Sequence, residues 1–141
     1  MLSHMGATYR TQAINSHGAD GAAHVPGGLG VDVTSPLGVN VDAGTNPEQL
    51  LALAWSTCLN ATAQVIVGGD RRTSVRVEVE LHPSLPGPGY EFHVDAYLSA
   101  EGATHAQAEE ILSAAHARCP VSKLISASAT VHVHAEEYTG R

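Results

Sequence analysis

The chain has 141 residues, 43% of them hydrophobic and 15% charged; this is the size of a single domain, expected over 1–141, and enough to bury roughly two-thirds of the unfolded surface. Ordinary apolar content at low charge excludes a disordered chain, and no apolar run approaches the roughly 18 residues of a membrane span, so no membrane partner is expected. Seven basic against fourteen acidic residues give a formal net charge of −7, from which counterion release on DNA or RNA gains little, so nucleic acid is excluded as a partner.

The first ten residues show no charged segment leading into an apolar one, so no signal peptide is expected and the location is read as cytoplasmic. Residues 1–6, opening MLSHM, carry no structural weight and read as a flexible or appended start. Residues 7–14 (ATYRTQAI) predict a first strand. Residues 15–28 are turn-rich, with Gly, Asp, Asn and Pro. Leu29, Val31 and Val33 alternate with Gly30, Asp32 and Thr34 as a second strand. Residues 34–46 read as loop, with a short strand possible at 39–41.

Thr45-Asn46-Pro47-Glu48-Gln49 is a helix start: Asn46 suits the cap, Pro47 the first helical position and Glu48 the first turn. The helix runs on through LLALAWSTCLNATAQVIV and stops at Gly68-Gly69. Leu50, Leu51, Leu53, Trp55, Leu59, Val65, Ile66 and Val67 occupy every face, so protein must surround it. A small sheet does not cover such a helix, and a partner subunit is the simplest remedy. A homodimer with this helix near the interface is therefore expected.

Val75, Val77, Val79 and Leu81 alternate with Arg76, Glu78, Glu80 and His82. Tyr90, Phe92, Val94, Ala96 and Leu98 alternate with Glu91, His93, Asp95 and Tyr97. Both are half-buried strands of an antiparallel sheet with one wet face, joined by the proline-stiffened PSLPGPG. Thr104 and Gln107 form a capping box. Ala108, Ile111, Leu112, Ala115 and Cys119 then recur at helical spacing. Pro120 ends this helix and starts a short one at 121–125. Ala127, Ala129, Val131 and Val133 alternate with polar residues as a last strand. The order β-β-(β)-α-β-β-α-β makes an α+β domain.

Two cysteines, Cys58 and Cys119, are too few for a disulfide scaffold. Read blandly they are buried, inert thiols. Cys119, however, stands where it can cap the short helix after it, its sulfur facing unpaired N–H groups, a placement that favours thiolate. The two are 61 residues apart, yet both lie on core faces of helices and meet if those helices pack together. Such a pair can reduce a peroxide: one thiolate attacks the O–O bond and becomes sulfenic acid, and the other resolves it to a disulfide. An apolar pocket would suit an alkyl peroxide. Nine histidines raise the question of metal. His132 with His134, and His105 with Glu109, have ligand spacing, but a wet strand face and a solvated helix face account for them, and Trp55 reads as core. No metal and no cofactor is expected.

Gly44-Thr45-Asn46-Pro47-Glu48-Gln49-Leu50 with Cys58, and Cys119-Pro120-Val121-Ser122-Lys123 followed by a strand, resemble the two signatures of the OsmC/Ohr family. The resemblance extends over nearly the whole chain, and the CPVS form is nearer the OsmC branch. It implies an OsmC-like fold, with antiparallel sheets packed on a central buried helix, in an intertwined homodimer with active sites at the subunit interface. It implies thiol-dependent reduction of small organic hydroperoxides, and less efficiently of hydrogen peroxide. Cys58 would then be the peroxidatic thiol and Cys119 the resolving one. Glu48 would match the glutamate that pairs with an activating arginine. A dithiol, such as a lipoylated protein, would be the reductant.

Helix geometry adds a constraint: ten residues place Glu48 about 15 Å from Cys58 along one helix, so the carboxylate acts through an arginine or across the dimer. The family's arginine context, G-R-[DE]-G, is here Gly18-Ala19-Asp20-Gly21. With alanine in that place the thiolate lacks its main stabiliser and the pKa of Cys58 should rise. Arg10, Arg71, Arg72 or Arg118 would have to substitute, or more weakly His17 or His24. The alternative to an enzyme is a relative that binds lipids or other apolar ligands in its pocket without turning them over.

Overall fold

The structure, a computed structural model, describes residues 6–140; the reading of residues 1–5 lies outside them. The chain divides into two compact units, one up to Asn46 and one from Pro47 onward.

The first unit is a three-stranded antiparallel sheet in the order β1 (Ile14–Asn15), β2 (Gly21–His24), β3 (Gly30–Val33). It departs from the sequence reading at three points. The strand expected over 7–14 shrinks to Ile14–Asn15, paired with Ala23 and His24. A strand forms inside the turn-rich stretch, since Gly-Ala-Ala-His is held by register against β3 (Gly21 with Val33, His24 with Gly30) and not by its own alternation. Residues 39–41 form no strand: backbone turns close at Gly38 on Ser35 and at Ala43 on Asn40. The β1–β2 turn is built locally. Asn15 Oδ1 accepts from the N–H groups of His17 and Gly18, and the Ala22 N–H donates to His17 Nδ1 at 2.9 Å. Gly21 is required there, because a Cβ would lie 2.3 Å from the His17 Cβ and φ is +149°.

The second unit carries the helices. α1 (Pro47–Val67) ends as expected at Gly68 and Gly69, whose φ values of 64° and 88° suit glycine. By length and composition alone this helix could cross a membrane, so the exclusion by run length does not hold for it. One of its faces is nonetheless the centre of a protein core, with Trp55, Leu59 and Ala63 fully buried. β4 (Thr73–Pro83) and β5 (Tyr90–Ala100) form the expected antiparallel hairpin, from Thr73 opposite Ala100 to Pro83 opposite Tyr90. Val75, Val77 and Val79 pack toward α1, while Arg76, Glu78 and Glu80 face outward.

α2 (His105–Arg118) begins with the full capping box. Thr104 Oγ1 accepts from the Gln107 N–H at 3.1 Å, and Gln107 Oε1 accepts from the Thr104 N–H at 2.9 Å. α3 (Pro120–Ile125) follows after Cys119 alone. β6 (Val131–Ala135) completes the sheet beside β5. Two expectations are corrected here. The last strand starts at Val131, because residues 127–130 are a turn, in which Ser128 and Thr130 bond to each other and Thr130 Oγ1 donates to the Phe92 carbonyl. And β6 runs parallel to β5, Val94 beside Val131 and Leu98 beside Ala135, so this sheet is mixed. The cause is the connection: a crossover through two helices returns the chain to the end where β5 began, which a hairpin does not.

Candidate thiol site

Cys58 and Cys119 come together in the second unit. Cys58 sits on α1 one turn beyond Trp55, on the face that packs against the core, and is half-buried. Its chain position is fixed by the helix, and Thr62 Oγ1 donates to its carbonyl at 2.9 Å. Cys119 is fully buried. It ends α2, with its N–H donating to the Ala115 carbonyl, and caps α3, with its sulfur accepting from the Ser122 N–H at 3.4 Å. This is the capping arrangement expected for it. Both thiols are free.

Cys58 packs against the core cluster that holds Cys119, and its ionisation responds to Cys119 and to the Val121 backbone. Three influences push the Cys58 thiol above its ordinary value and one pulls it down. Burial is the largest and raises it; the Val121 N–H lowers it; the hydrogen bond and the charge of Cys119 raise it again. The balance is a thiol harder to ionise than a free one. Among the described residues no arginine or lysine is a cause of that shift.

A second polar contact runs beside the thiols. Trp55 Nε1 donates to Ser122 Oγ at 2.9 Å, and both residues are completely buried. The sequence reading placed Trp55 in the core and did not anticipate this bond. The available signal was that a buried indole N–H needs an acceptor.

The other predicted residues lie apart. Glu48 is half-buried in the first turn of α1, ten residues before Cys58. Ala19 lies in the exposed turn between β1 and β2 of the first unit. Of the arginines considered, Arg71 lines a cavity of about 230 Å³ with Asp70, Gln107 and Glu110, and its Nη1 is buried without a partner. His105 pairs with Glu109 at 2.8 Å and His134 with Asp95 at 2.7 Å. Among the described residues no group of three or more His, Cys, Asp or Glu is placed to hold a metal ion. A cavity of about 670 Å³ lies between α2 and β6, against Leu112, His116, Val133 and His134, and neither cysteine lines it.

Residues 40–134 match the family model of OsmC-like proteins. The chain belongs to that family. It is 33% identical over 129 residues to an organic hydroperoxide resistance protein-like protein of Mycoplasma pneumoniae, covering 86% of this chain and 89% of that one. Among solved structures, a Lactobacillus casei protein provisionally described as a redox protein aligns with a TM-score of 0.81 at 35% identity, covering 96% of each chain. The organic hydroperoxide resistance protein OsmC of Legionella pneumophila aligns at 0.79 and 25% identity, over 95% of this chain and all of that one. The α+β fold with two small sheets and a long helix is that of the OsmC/Ohr proteins.

Proposed function

We propose that this protein is a thiol-dependent peroxidase acting on small organic hydroperoxides, with Cys58 as the attacking thiol and Cys119 as its resolving partner. The observation that carries the reading is the packing of Cys58 against the cluster that holds Cys119, 61 positions further along the chain. In the first step the Cys58 thiolate attacks the distal oxygen of ROOH. The O–O bond breaks, Cys58 becomes a sulfenic acid, and RO⁻ takes up a proton and leaves as the alcohol. In the second, the Cys119 thiolate attacks the Cys58 sulfur, the S–O bond breaks, and hydroxide leaves as water with the proton given up by Cys119. The resulting disulfide accepts two electrons and two protons from an external dithiol, for which a lipoylated protein is a fitting source. The half-exposed Cys58 suits the attacking role and the fully buried Cys119 the resolving one.

Glu48 acts in this scheme as the partner of an activating cation and not by touching Cys58. The homodimer supplies what one protomer leaves open. Leu53 and Val65 of α1 are 61% and 74% exposed, so the helix has a bare apolar face that a second copy covers. The location is cytoplasmic, where free thiols persist.

The test is consumption of tert-butyl or cumene hydroperoxide with dihydrolipoamide or dithiothreitol as reductant. Wild-type protein should turn over, Cys58→Ser should not, and Cys119→Ser should give a sulfenic acid that dimedone traps. Turnover no faster than that of Cys58→Ser would defeat the proposal. Ala19 favours a second reading, an apolar-ligand binder without chemistry; it predicts saturable binding of a fluorescent fatty acid alongside absent turnover.

A further inference from the structure

We infer that the Trp55–Ser122 hydrogen bond is a strut that sets the spacing of the two thiols, making Trp55 and Ser122 positioning residues for closure of the Cys58–Cys119 disulfide. The inference rests on the pairing of these cysteines proposed above.

Trp55 and Cys58 are three residues apart on α1 and so share a face. Ser122 follows Cys119 by three residues, at the start of α3. The two elements therefore meet twice, once through the indole and hydroxyl and once through the sulfurs. The first contact is a 2.9 Å bond between two residues with no solvent exposure. No water competes for it, and breaking it leaves a buried donor or acceptor unpaired. Ser122 is tied to the site a second time, because its own N–H donates to Cys119 Sγ. Val121, the residue before Ser122, offers its N–H to Cys58. Holding the Ser122 side chain against α1 thus holds three groups at Cys58: the Val121 amide, the Cys119 sulfur and the cap that orients it. Without the strut, α3 is free to drift from α1, and the thiols lose part of the proximity that makes their reaction intramolecular.

The test is equilibrium oxidation in a glutathione redox buffer, in which two protein thiols and one glutathione disulfide yield one protein disulfide and two glutathione thiols. This readout needs no peroxide. Trp55→Phe and Ser122→Ala should each lower the oxidation constant, by at most about fivefold, the limit at which the whole net worth of the bond is felt in the disulfide form. The double variant should fall no further than the worse single one, because both remove the same bond. Ser122→Thr, which keeps the hydroxyl, should restore the wild-type constant. Unchanged oxidation constants in both single variants, whatever happens to thermal stability, would overturn the inference. So would a wild-type protein that never closes this disulfide in the buffer. Absence of peroxide turnover with normal closure would instead defeat the peroxidase reading and leave the strut standing.

Discussion

Ionisation of Cys58 is the sharpest quantitative consequence of the site. The reactive species is the thiolate, and the thiol sits above its ordinary 9.0. A thiol at 9.0 is about 1% ionised at pH 7, and any rise lowers that fraction further. Below its midpoint each pH unit multiplies the thiolate about tenfold. The rate of Cys58 alkylation by iodoacetamide, followed by mass spectrometry in the Cys119→Ala background and in wild type, should therefore climb close to tenfold per unit from pH 6.5 to 8.5 without levelling. The two proteins should differ in a defined way. Cys119 raises Cys58 through its hydrogen bond and its charge, so its removal brings the midpoint down toward 9. Burial, the largest influence, still opposes ionisation in the variant. A plateau by pH 8 in either protein would refute the reasoning and would mean that a cation reaches the sulfur.

Three further outcomes follow from named contacts. Leu59→Ala empties a fully buried position among Trp55, Val94, Leu98 and Leu112; urea unfolding should show a loss of about 2–5 kcal/mol. Thr104→Ala removes the acceptor for the Gln107 N–H and half of the capping box, which should cost about 1 kcal/mol in the same assay. Ala19→Arg restores the cation of the family context, and it should shift the Cys58 alkylation profile down by about 1–3 pH units and raise peroxide turnover at pH 7; an unmoved profile would show that the arginine side chain does not reach the thiol.

The second unit was largely legible because its signals are local. α1 is bounded by Pro47 and by Gly68-Gly69, α2 by its capping box, and β4 and β5 by the alternation read over 75–82 and 90–98. In the first unit only β3 was legible, through the alternation of Leu29, Val31 and Val33; β1 and β2 have two and four residues, and β2 is Gly-Ala-Ala-His. Such a strand exists by pairing with its neighbours, which no window of sequence displays. The direction of β6 was readable in principle: a strand, two helices and a strand form a crossover, and a crossover yields parallel neighbours. Alternation alone, the signal used for residues 127–133, is blind to direction and also ran through a turn that Ser128 and Thr130 close with their own hydroxyls.

The thiol site divides along the same line between local and non-local. Cys119 as a helix cap could be read from Cys-Pro, because the cap is made by the next three residues. The Val121 amide at Cys58 and the indole bond to Ser122 could not, since each joins segments more than 60 residues apart. The charge balance of the site follows from what those segments bring. Around Cys58 they place apolar side chains, one amide donor and a second thiol, with no arginine or lysine among the described contributors. Glu48 cannot make up the difference, being an anion about 15 Å up the same helix. A peroxidase built on this thiol therefore works at neutral pH through the small thiolate fraction that burial leaves it, and its rate should rise with pH as that fraction does.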